Sequence, residues 1–311
     1  MNTIGHRFSF TCFGESHGTA IGGVIDGVPP RTVIDEEYMH HQLQRRSGIG
    51  MAGTSKRANN ETDEIEWLSG IIKRDNRLIT IGSPVAFIIR NKNANPRDYD
   101  LMDNIFRPGH ADYTYELKYG IRDWRGGGRA SARETAARVV AGAVAYQCIR
   151  EKGIEIAAEL SQVGAETDPR RFELILKKTT EDKDSIGGIV SCNISGLPVG
   201  IGEPIFDKLQ ARLAYAVMSI NGCKGFEYGT GFESSNLKGS EMYHPEEVPC
   251  KLSGGIEGGL SNGLTVTFRC VFKPTASIAR LYKGRHDTCI AVRAVPIVEA
   301  MTALTLADLM L

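Results

Sequence analysis

The sequence lacks a charge excess of either sign, closely spaced cysteines and long apolar runs. Lysine and arginine total 37, and so do aspartate and glutamate, so no basic excess supports sequence-independent binding to nucleic acid. The seven cysteines lie about twenty or more positions apart, a spacing that excludes a CxxC redox pair and a zinc knuckle. They are expected to be reduced, mostly packed thiols of a cytoplasmic protein. Since no run approaches the roughly 18 apolar residues of a membrane helix and the N-terminus has no signal-peptide core, we expect a soluble protein that is not exported.

Two common catalytic motifs are missing as well. The sequence contains no GxxxxGKS/T phosphate-binding loop and no HExxH zinc motif, which disfavours P-loop phosphotransferases and zinc proteases. No metal ion is therefore expected. Because the net charge is zero, any site for an anionic ligand must be built locally from particular loops.

The two halves of the sequence resemble each other. An apolar, strand-like run closed by Gly, an apolar residue and Pro occurs as IGGVIDGVP at 21–29 and again as IGGIVSCNISGLP at 186–198. An amphipathic helical stretch follows each run, and the order strand, helix, strand, helix occurs twice. We therefore predict one layered α/β (α+β) domain over residues 1–311, a β-α-β sandwich with pseudo-twofold repeats at approximately 1–150 and 180–311. The alternative is a chance similarity between short Gly-rich turns.

Three consecutive glycines and several arginines precede a predicted helix in RGGGRASARETAARVVAGAV at 125–144. Ser131 and Glu134 have the spacing of a capping box, which predicts a helix that starts near Ser131. Glycines let backbone N–H groups approach a ligand, and Arg129 and Arg133 supply forked donors that suit phosphate or carboxylate. The segment is interpreted as an anion-binding loop, and a tight turn with solvated arginines is the alternative.

Polar side chains also occur in three other loops. Ser16 and His17 lie between glycines after a predicted strand, and His110 lies beside Arg107 in a Pro-Gly turn. Asp287 follows an arginine and a histidine in GRHD. Each histidine alone is equally well explained by a structural role, but together these groups offer guanidiniums for a polyanion and histidines that exchange protons near neutral pH. They favour elimination or transfer of phosphate from an acidic substrate.

The last apolar run of the sequence follows Pro296. Proline suits the first turn of a helix and disrupts its middle, so Pro296 is predicted to lie in the first turn of the last helix. Asp287 would then lie in the loop before that helix. Near the N-terminus, Arg45 and Arg46 are predicted to end a helix, where cations are favoured with or without a ligand.

These motifs closely resemble those of the chorismate synthase family, nearly from end to end. The matching segments are FGESHGTAIGGVIDGVP, FRPGHADYTYELKYGIRDWRGGGRASARETAARVVAGAVA, SINGCKGFEYGTGF, SGGIEGGLSNG, KPTASI and GRHDTCIAVRAVPIVEAM. The resemblance implies a lyase that binds reduced FMN and converts 5-enolpyruvylshikimate 3-phosphate to chorismate and phosphate. The reaction is an anti 1,4-elimination with no net redox change, the last common step of the shikimate pathway to the aromatic amino acids. The resemblance also implies a cytoplasmic homotetramer that takes its reduced flavin from an external reductant, since the chain has no flavin-reductase module.

The resemblance further implies roles for individual residues. His110 would protonate or stabilise the departing phosphate, and His17 would protonate or hydrogen-bond the reduced flavin. Asp287, relayed through Ser16 and Ser131, would help the flavin N5 atom to act as a base. The residues implied for the substrate anions are Arg46, Arg57, Arg107, Arg133 and Arg285. The residues implied for flavin binding are Arg129, Ala130, Ser131, Asn221, Gly222, Gly258, Lys273, Pro274, Thr275, Ala276, Ser277 and Arg285.

Two features depart from the pattern of the family. After Arg46 the chain reads SGIGMAGTSKRANNE, in which Arg57 is expected to replace the arginine of a TPR signature, while another basic residue of that loop has no clear counterpart. The chain is also shorter than the family implies, with abrupt joins near 166–168, 243–252 and 279–282. Either these loops are deleted, or the sequence as given omits parts of loops that close over flavin and substrate, and the second explanation is favoured.

Two other functions are open as alternatives. The altered loop after Arg46 is consistent with a catalytically impaired homologue that binds flavin or anions. The presence of His17, His110 and Asp287 argues against that alternative. The glycine- and arginine-rich segment permits a nucleic-acid-binding module, but the net charge of zero and the absence of interleaved aromatic residues argue against it. The lyase is the function that the residues favour.

Overall fold

Two antiparallel β-sheets enclose a layer of helices. The computed structural model describes residues 1–54, 63–92, 103, 105–282 and 286–311. Within these ranges, the long helices of the two halves pack against each other, and each also packs against a sheet. The arrangement confirms the predicted α+β class and its β-α-β layering.

The N-terminal half of the chain forms the first sheet. Val85, Phe87 and Ile89 are buried and alternate with less buried residues, so one face of this sheet enters the core. All neighbouring strands are antiparallel. In spatial order they are β1 (Thr3–Ile4), β2 (Ser9–Phe13), β3 (Ala20–Asp26), β8 (Val85–Arg90) and β5 (Glu66–Ser69). A separate small sheet contains β4 (Val33–Ile34), β7 (Arg77–Thr80) and β6 (Ile71–Arg74).

The C-terminal half forms the second sheet. In spatial order its strands are β9 (Glu155–Val163), β10 (Gly188–Ser195), β14 (Val266–Phe272) and β11 (Cys223–Tyr228), and a short hairpin contains β12 (Ile256–Glu257) and β13 (Leu260–Ser261). The order β9-β10-β14-β11 repeats the order β2-β3-β8-β5 of the first sheet, again with antiparallel neighbours. A duplication of one half of the chain would produce this repeated strand order. The duplication itself stays a prediction.

Helices follow the strands in the order that the sequence predicts. The α-helices of the described residues are α1 (Glu36–Ser47), α2 (Asp112–Tyr119), α3 (Thr135–Ile149), α4 (Pro169–Glu181), α5 (Leu209–Met218), α6 (Gly239–Met242) and α7 (Ala291–Met310). Arg45 and Arg46 lie in the last turn of α1, as predicted. No helix in the described part of the chain combines the length and apolar character needed to cross a bilayer.

The helices α3 and α7 form the centre of the core. Gly142 of α3 faces Ala300 of α7, and a Cβ atom built on Gly142 would lie only 2.3 Å from the Cβ of Ala300. The glycine therefore lets the two helix backbones approach closely. Because α3 and α7 each follow one of the polar loops, their close packing brings those loops together.

The predicted helix start at Ser131 is confirmed. Ser131 Oγ accepts a hydrogen bond from the backbone N–H of Arg133, and a short 3-10 turn at Ala132–Glu134 continues into α3. This is the contact expected of an N-cap serine. A capping box would also have the carboxylate of Glu134 accept from the backbone N–H of Ser131. The N–H of Ser131 donates to the carbonyl oxygen of Gly128, and the carboxylate of Glu134 accepts from Arg138 at 3.0 Å.

The prediction that Pro296 lies in the first turn of the last helix is wrong. Helix α7 begins at Ala291 and contains Pro296 in its interior. Proline removes one backbone hydrogen bond from a helix, but the turn before it is stabilised by the burial of Ala291, Arg293 and Ala294. Packing against the rest of the protein therefore outweighs the local preference of proline.

The cysteines are free thiols, and most of them are buried, as predicted. Burial raises the pKa of Cys148 to about 11, so this thiol is protonated at neutral pH and is a weak nucleophile.

The abrupt join near 166–168 forms a compact connection. Val163 and Glu166 pair across a tight turn, and Asp168 then caps α4 by accepting from the N–H of Arg170. The chain thus passes directly from β9 into a well-capped helix.

Candidate active site

A cleft of about 380 Å³ opens where loops from both halves of the chain meet. It is bordered by the end of α1, the loops before α2, α3 and α7, the turn before β11 and the segment after β14. The predicted site residues that line it are Arg46, Arg107, His110, Ala130, Ser131, Arg133, Asn221, Gly222, Lys273, Pro274, Thr275, Ala276, Ser277 and Asp287. Residues far apart in sequence and implied for substrate and for flavin therefore share one cleft.

Among the described residues, four predicted site residues do not line this cleft. Ser16 and His17 are buried behind its wall, and the guanidinium of Arg129 points toward β2, where it donates to the carbonyl oxygen of Gly14 at 3.1 Å. Gly258 lies in the β12–β13 turn and borders a different cavity. Arg57 and Arg285 lie outside the described residues. The ligand contacts implied for these residues stay predictions.

The glycine triplet lies against both predicted catalytic histidines. A Cβ atom on Gly126 would lie 2.3 Å from Cε1 of His17, and a Cβ atom on Gly127 would lie 2.9 Å from Cε1 of His110. Both glycines have positive φ angles, 64° and 86°, which other residues rarely adopt. The triplet is therefore needed for the close approach of two imidazoles, a reason that the sequence alone did not reveal.

Behind the wall of the cleft, His17 is held by its neighbour in sequence. Ser16 Oγ lies 2.9 Å from Nδ1 of His17 and donates to the carbonyl oxygen of Arg125 at 3.3 Å. Ser16 thus connects the His17 ring to the backbone of the glycine-rich loop. The Oγ of Ser131 accepts from Arg133, and the relay from Asp287 through the two serines stays a prediction.

His110 shares a buried carboxylate with Arg107. Nδ1 of His110 lies 2.8 Å from Oδ1 of Asp112, and Arg107 contacts the same carboxylate through Nε at 2.8 Å and Nη2 at 3.0 Å. Burial alone would raise the pKa of Asp112, but hydrogen bonds from His110 and Arg107 outweigh it and hold that pKa well below its usual range. The other Nη atom of Arg107 donates to Ser277 Oγ at 2.9 Å.

A second buried carboxylate joins two more predicted substrate arginines. Asp63 accepts from Nη1 of Arg133 at 2.6 Å and lies 3.7 Å from Nη1 of Arg46. Arg46, which is 1% exposed, also donates from Nη2 to the carbonyl oxygen of Ala132 at 2.6 Å, and Arg133 donates from Nε to Asn91 at 2.9 Å. Both guanidinium groups are therefore fixed in orientation.

Asp287 is held by an arginine of α7. Nη1 of Arg293 donates to Oδ2 of Asp287 at 2.9 Å, and both side chains are nearly buried. Arg293 also donates from Nε to the carbonyl oxygen of Arg46 at 3.1 Å. The pair thus connects the loop before α7 with the end of α1, and Arg293 gives Asp287 a nearly buried counter-charge.

The segment implied for flavin binding forms the opposite side of the cleft. Asn221 donates from its side-chain amide to the carbonyl oxygen of Ser131 at 3.0 Å, and the N–H of Lys273 donates to the carbonyl oxygen of Gly222 at 3.0 Å. The ammonium of Lys273 also donates to the carbonyl oxygen of Gly109. Burial, with a smaller contribution from nearby Lys224, lowers the pKa of Lys273. The segments around 131, 222 and 273 are thereby tied together.

The cleft carries an excess of positive charge. Among the described residues, its lining contains one carboxylate, Asp287, and those of Asp63 and Asp112 lie behind the arginines that they bind. The cationic side chains of the lining are Arg46, Arg107, Arg133, Lys224, Lys273 and Arg293. Three carboxylates do not balance six cations, so the cleft favours a ligand with several negative charges.

Comparison with known proteins identifies the family. A model of the family described as "Chorismate synthase" matches residues 8–311. The chain belongs to the chorismate synthase family. Chorismate synthase of Phocaeicola vulgatus is 44% identical over 354 aligned positions, which cover 99% of this chain and 97% of the relative. That of Porphyromonas gingivalis is 45% identical over 355 positions, with 99% and 95% coverage. Chorismate synthases are lyases, so the predicted enzyme class is confirmed.

A solved structure supports the same assignment at the level of the fold. The structure titled "Crystal Structure of Chorismate Synthase" superimposes with a TM-score of 0.78 at 28% identity and covers 98% of this chain and 92% of that one.

The sequence alignments with the Phocaeicola vulgatus and Porphyromonas gingivalis enzymes extend over more positions than the 311 residues of this chain. This chain therefore lacks residues that those relatives contain, and the cause of the shorter loops stays a prediction.

Three residues of the site were missed by the sequence analysis. Asp112 had a usable signal, because it follows His110 at a spacing that suits one turn. Arg293 also had one, since a single arginine in an apolar helix is rarely buried without a partner. Asp63 had no signal in the sequence, because only the fold brings it between Arg46 and Arg133.

Proposed function

We propose that this enzyme catalyses the anti 1,4-elimination of phosphate from 5-enolpyruvylshikimate 3-phosphate, giving chorismate, with reduced FMN as a cofactor that is not consumed. The observation that carries the proposal is the convergence of Arg46, Arg107, Arg133 and His110 on one cationic cleft. The substrate has two carboxylates and one phosphate. A cleft with an excess of fixed guanidinium groups suits such a polyanion.

The arginines bind and orient the substrate. Arg46 and Arg133 are held in place by Asp63, and Arg107 is held by Asp112 and Ser277. Because these contacts fix the guanidinium groups before the ligand arrives, little side-chain entropy is lost on binding. Preorganised cations also stabilise the charge that develops on a departing phosphate.

His110 provides the proton for the leaving group. Its Nδ1 atom is engaged by Asp112, which leaves Nε2 as the atom that serves the cleft. As the carbon–oxygen bond to phosphate breaks, the electron pair stays on the phosphate oxygen, and Nε2 donates its proton to that oxygen. Arg107, in contact with the same carboxylate, lies beside the developing charge.

The residues of the cleft fit a reduced flavin. Thr275 contributes a buried hydroxyl oxygen that has no hydrogen-bond partner in the described part of the chain, and such an atom is expected to bind a ligand group. The backbone at Ala130, Asn221 and Gly222 and the ammonium of Lys273 would hold the flavin and its phosphate. The bound reduced flavin would supply electron density as phosphate leaves and recover it as the ring hydrogen is lost.

His17 and Asp287 act around that flavin. His17 would hydrogen-bond or protonate it near Gly126, and Asp287, held by Arg293, would help the flavin N5 atom to act as the base for the proton of the substrate ring. Asp287 lines the cleft, whereas His17 lies behind its wall. A small change at the glycine triplet is therefore needed for direct contact of His17 with a ligand.

The resemblance to the family supplies the cellular part of the proposal. We place the enzyme in the cytoplasm as a homotetramer that receives reduced FMN from an external reductase and acts in the shikimate pathway. That part rests on the resemblance alone, which extends over residues 8–311.

An anaerobic assay tests the reaction. The protein is mixed with chemically reduced FMN and 5-enolpyruvylshikimate 3-phosphate, and chorismate absorbance and free phosphate are followed together. Equal amounts of both products, formed only with reduced FMN and without its consumption, are expected. If folded protein that binds flavin forms neither product, the chain is an impaired homologue and the proposal is wrong.

A further inference from the structure

Asp112 is the most densely bonded carboxylate beside the cleft. It is 3% exposed and is the first residue of α2. Its Oδ2 atom accepts from the backbone N–H of Arg107 at 3.2 Å and from Nε of the same residue at 2.8 Å. Its Oδ1 atom accepts from Nη2 of Arg107 and contacts Nδ1 of His110 at 2.8 Å. One carboxylate therefore orients both an arginine and a histidine of the proposed site.

The contacts decide which ring nitrogen of His110 carries a proton. Asp112 is ionised at neutral pH, since its hydrogen bonds hold its pKa well below the usual range, and so it has no proton to donate. If Nδ1 of His110 were also unprotonated, two acceptor atoms would face each other at 2.8 Å. With the proton on Nδ1, Oδ1 of Asp112 accepts from His110 at 2.8 Å and from Nη2 of Arg107 at 3.0 Å. A bare Nδ1 would instead accept from Nη2 of Arg107 at 3.1 Å and set its lone pair against Oδ1. The shorter contact with Asp112 therefore favours the proton on Nδ1.

We infer that Asp112 is a positioning residue that fixes the Nδ1–H tautomer of His110 and directs Nε2 into the cleft. The inference rests on the proposed function for its chemical consequence, but the tautomer is a property of the protein alone. A carboxylate that receives Nδ1–H leaves Nε2 as the ring atom that exchanges a proton with a ligand. Asp112 itself keeps its charge throughout and transfers no proton.

The backbone around His110 supports this orientation. Gly127 leaves room for the ring, because a Cβ atom there would lie 3.0 Å from Nε2. The N–H of His110 donates to the carbonyl oxygen of Arg107 at 3.1 Å, which closes the turn between them. The ring is thus fixed at Nδ1 by Asp112 and at its backbone by the turn, with Nε2 against Gly127, next to Gly126 of the cleft lining.

The tautomer is measured directly by nuclear magnetic resonance of protein labelled with ¹⁵N-histidine. The chain has seven histidines, and the His110 signals are assigned as those lost in a His110→Gln variant. In the parent protein, at a pH where the ring is neutral, we expect a protonated Nδ1 and an unprotonated Nε2. A parent spectrum with the proton on Nε2 overturns the inference without any mutant.

Replacement of Asp112 provides the second arm of the test. In Asp112→Ala the proton is expected to move largely to Nε2, the tautomer that unconstrained imidazoles prefer, and kcat is expected to fall by about 10²-fold. Asp308→Ala is the matched control, because it removes another buried carboxylate that contacts the N-terminal backbone and Arg212 instead. If the Asp112→Ala spectrum equals that of the parent, Asp112 does not set the tautomer.

A merely structural role for Asp112 predicts a different pattern. Ser277→Ala removes the other side-chain partner of Arg107, so it is expected to raise KM while the His110 spectrum stays unchanged. If Ser277→Ala alters the tautomer as Asp112→Ala does, the effect comes from Arg107 and the inference is wrong. Failure of the elimination reaction in the parent protein would instead contradict the proposed function and leave the tautomer result intact.

Discussion

The α-carbon of Gly127 packs against the imidazole of His110, so closely that a Cβ atom on Gly127 would lie 2.9 Å from Cε1 and 3.0 Å from Nε2 of the ring. The residue also has a φ angle of 86°. No side chain is tolerated here without a shift of either the backbone or the histidine. The close approach of the His110 ring thus requires glycine at this position.

Gly127→Ala is expected to displace His110 and to lower kcat by about tenfold or more, since a displacement of about 1 Å in a catalytic group is costly. Gly120→Ala is the matched control. Gly120 also has a positive φ angle, 72°, but nothing lies within 4 Å of its Cβ position. Both variants place alanine in the left-handed backbone conformation, at a similar conformational cost. Equal kcat values would therefore show that the contact between Gly127 and His110 does not affect turnover.

Asp63→Asn is expected to destabilise the unliganded protein. The buried guanidiniums of Arg46 and Arg133 would lose their shared counter-charge, and loss of one partner of a buried ion pair costs about 3 kcal/mol. A bound anion supplies the missing charge. Substrate should therefore raise the melting temperature of Asp63→Asn more than that of the parent. An equal rise in both proteins would contradict the pairing of Asp63 with the substrate arginines.

Gly142→Ala tests the close packing of α3 and α7. Alanine is favoured over glycine in a helix by about 1 kcal/mol, but the added methyl group would lie 2.4 Å from the Cα and 2.6 Å from the carbonyl oxygen of Ala300. Overpacking of this kind costs about 1–3 kcal/mol, so the variant is expected to be less stable in urea denaturation. Gly239→Ala, where nothing lies within 4 Å, should be neutral or stabilising.

The stability of the fold should fall in acid partly through Asp308. Its Oδ1 atom accepts from the backbone N–H groups of His6 at 2.7 Å, Arg7 at 2.7 Å and Phe8 at 3.0 Å. Burial raises the pKa of Asp308, but these hydrogen bonds and one from Arg212 outweigh it and lower the pKa. A carboxyl with a lowered folded-state pKa stabilises the protein above its unfolded pKa of about 4, and this stabilisation is lost as the pH falls further.

The Asp308→Asn variant provides the comparison. It has no charge to lose, so its free energy of unfolding should decline less steeply than that of the parent as the pH falls below about 4. The two are compared by urea denaturation at a series of pH values. Parallel curves for the two proteins would exclude Asp308 as a source of the acid sensitivity.

Local patterns predicted much of the fold. The helix cap at Ser131 and the strand runs around 21–29 and 186–198 depend on neighbours in sequence, so they were visible in the sequence. Pro296 was misplaced because the burial of the preceding turn, a long-range effect, decides where α7 begins.

The candidate site was likewise predictable from the sequence only in part. Its residue types were recognisable from motifs, and two of the partners that orient them, Asp112 and Arg293, had a usable signal in the sequence. Asp63 instead acts through contacts across the fold, and the contact between Gly126 and His17 depends on a loop distant in sequence. Such pairings require the three-dimensional arrangement, since no periodicity or spacing encodes them.

The most direct test of the account is a single-turnover measurement of phosphate release under anaerobic conditions. Enzyme loaded with reduced FMN is mixed with 5-enolpyruvylshikimate 3-phosphate, and the parent is compared with His110→Ala. We predict equimolar phosphate and chorismate from the parent, and release slowed by about 10²-fold or more in the variant, with the affinity for reduced FMN nearly unchanged. Equal rates in the two proteins would remove His110 from the mechanism and contradict the central claim.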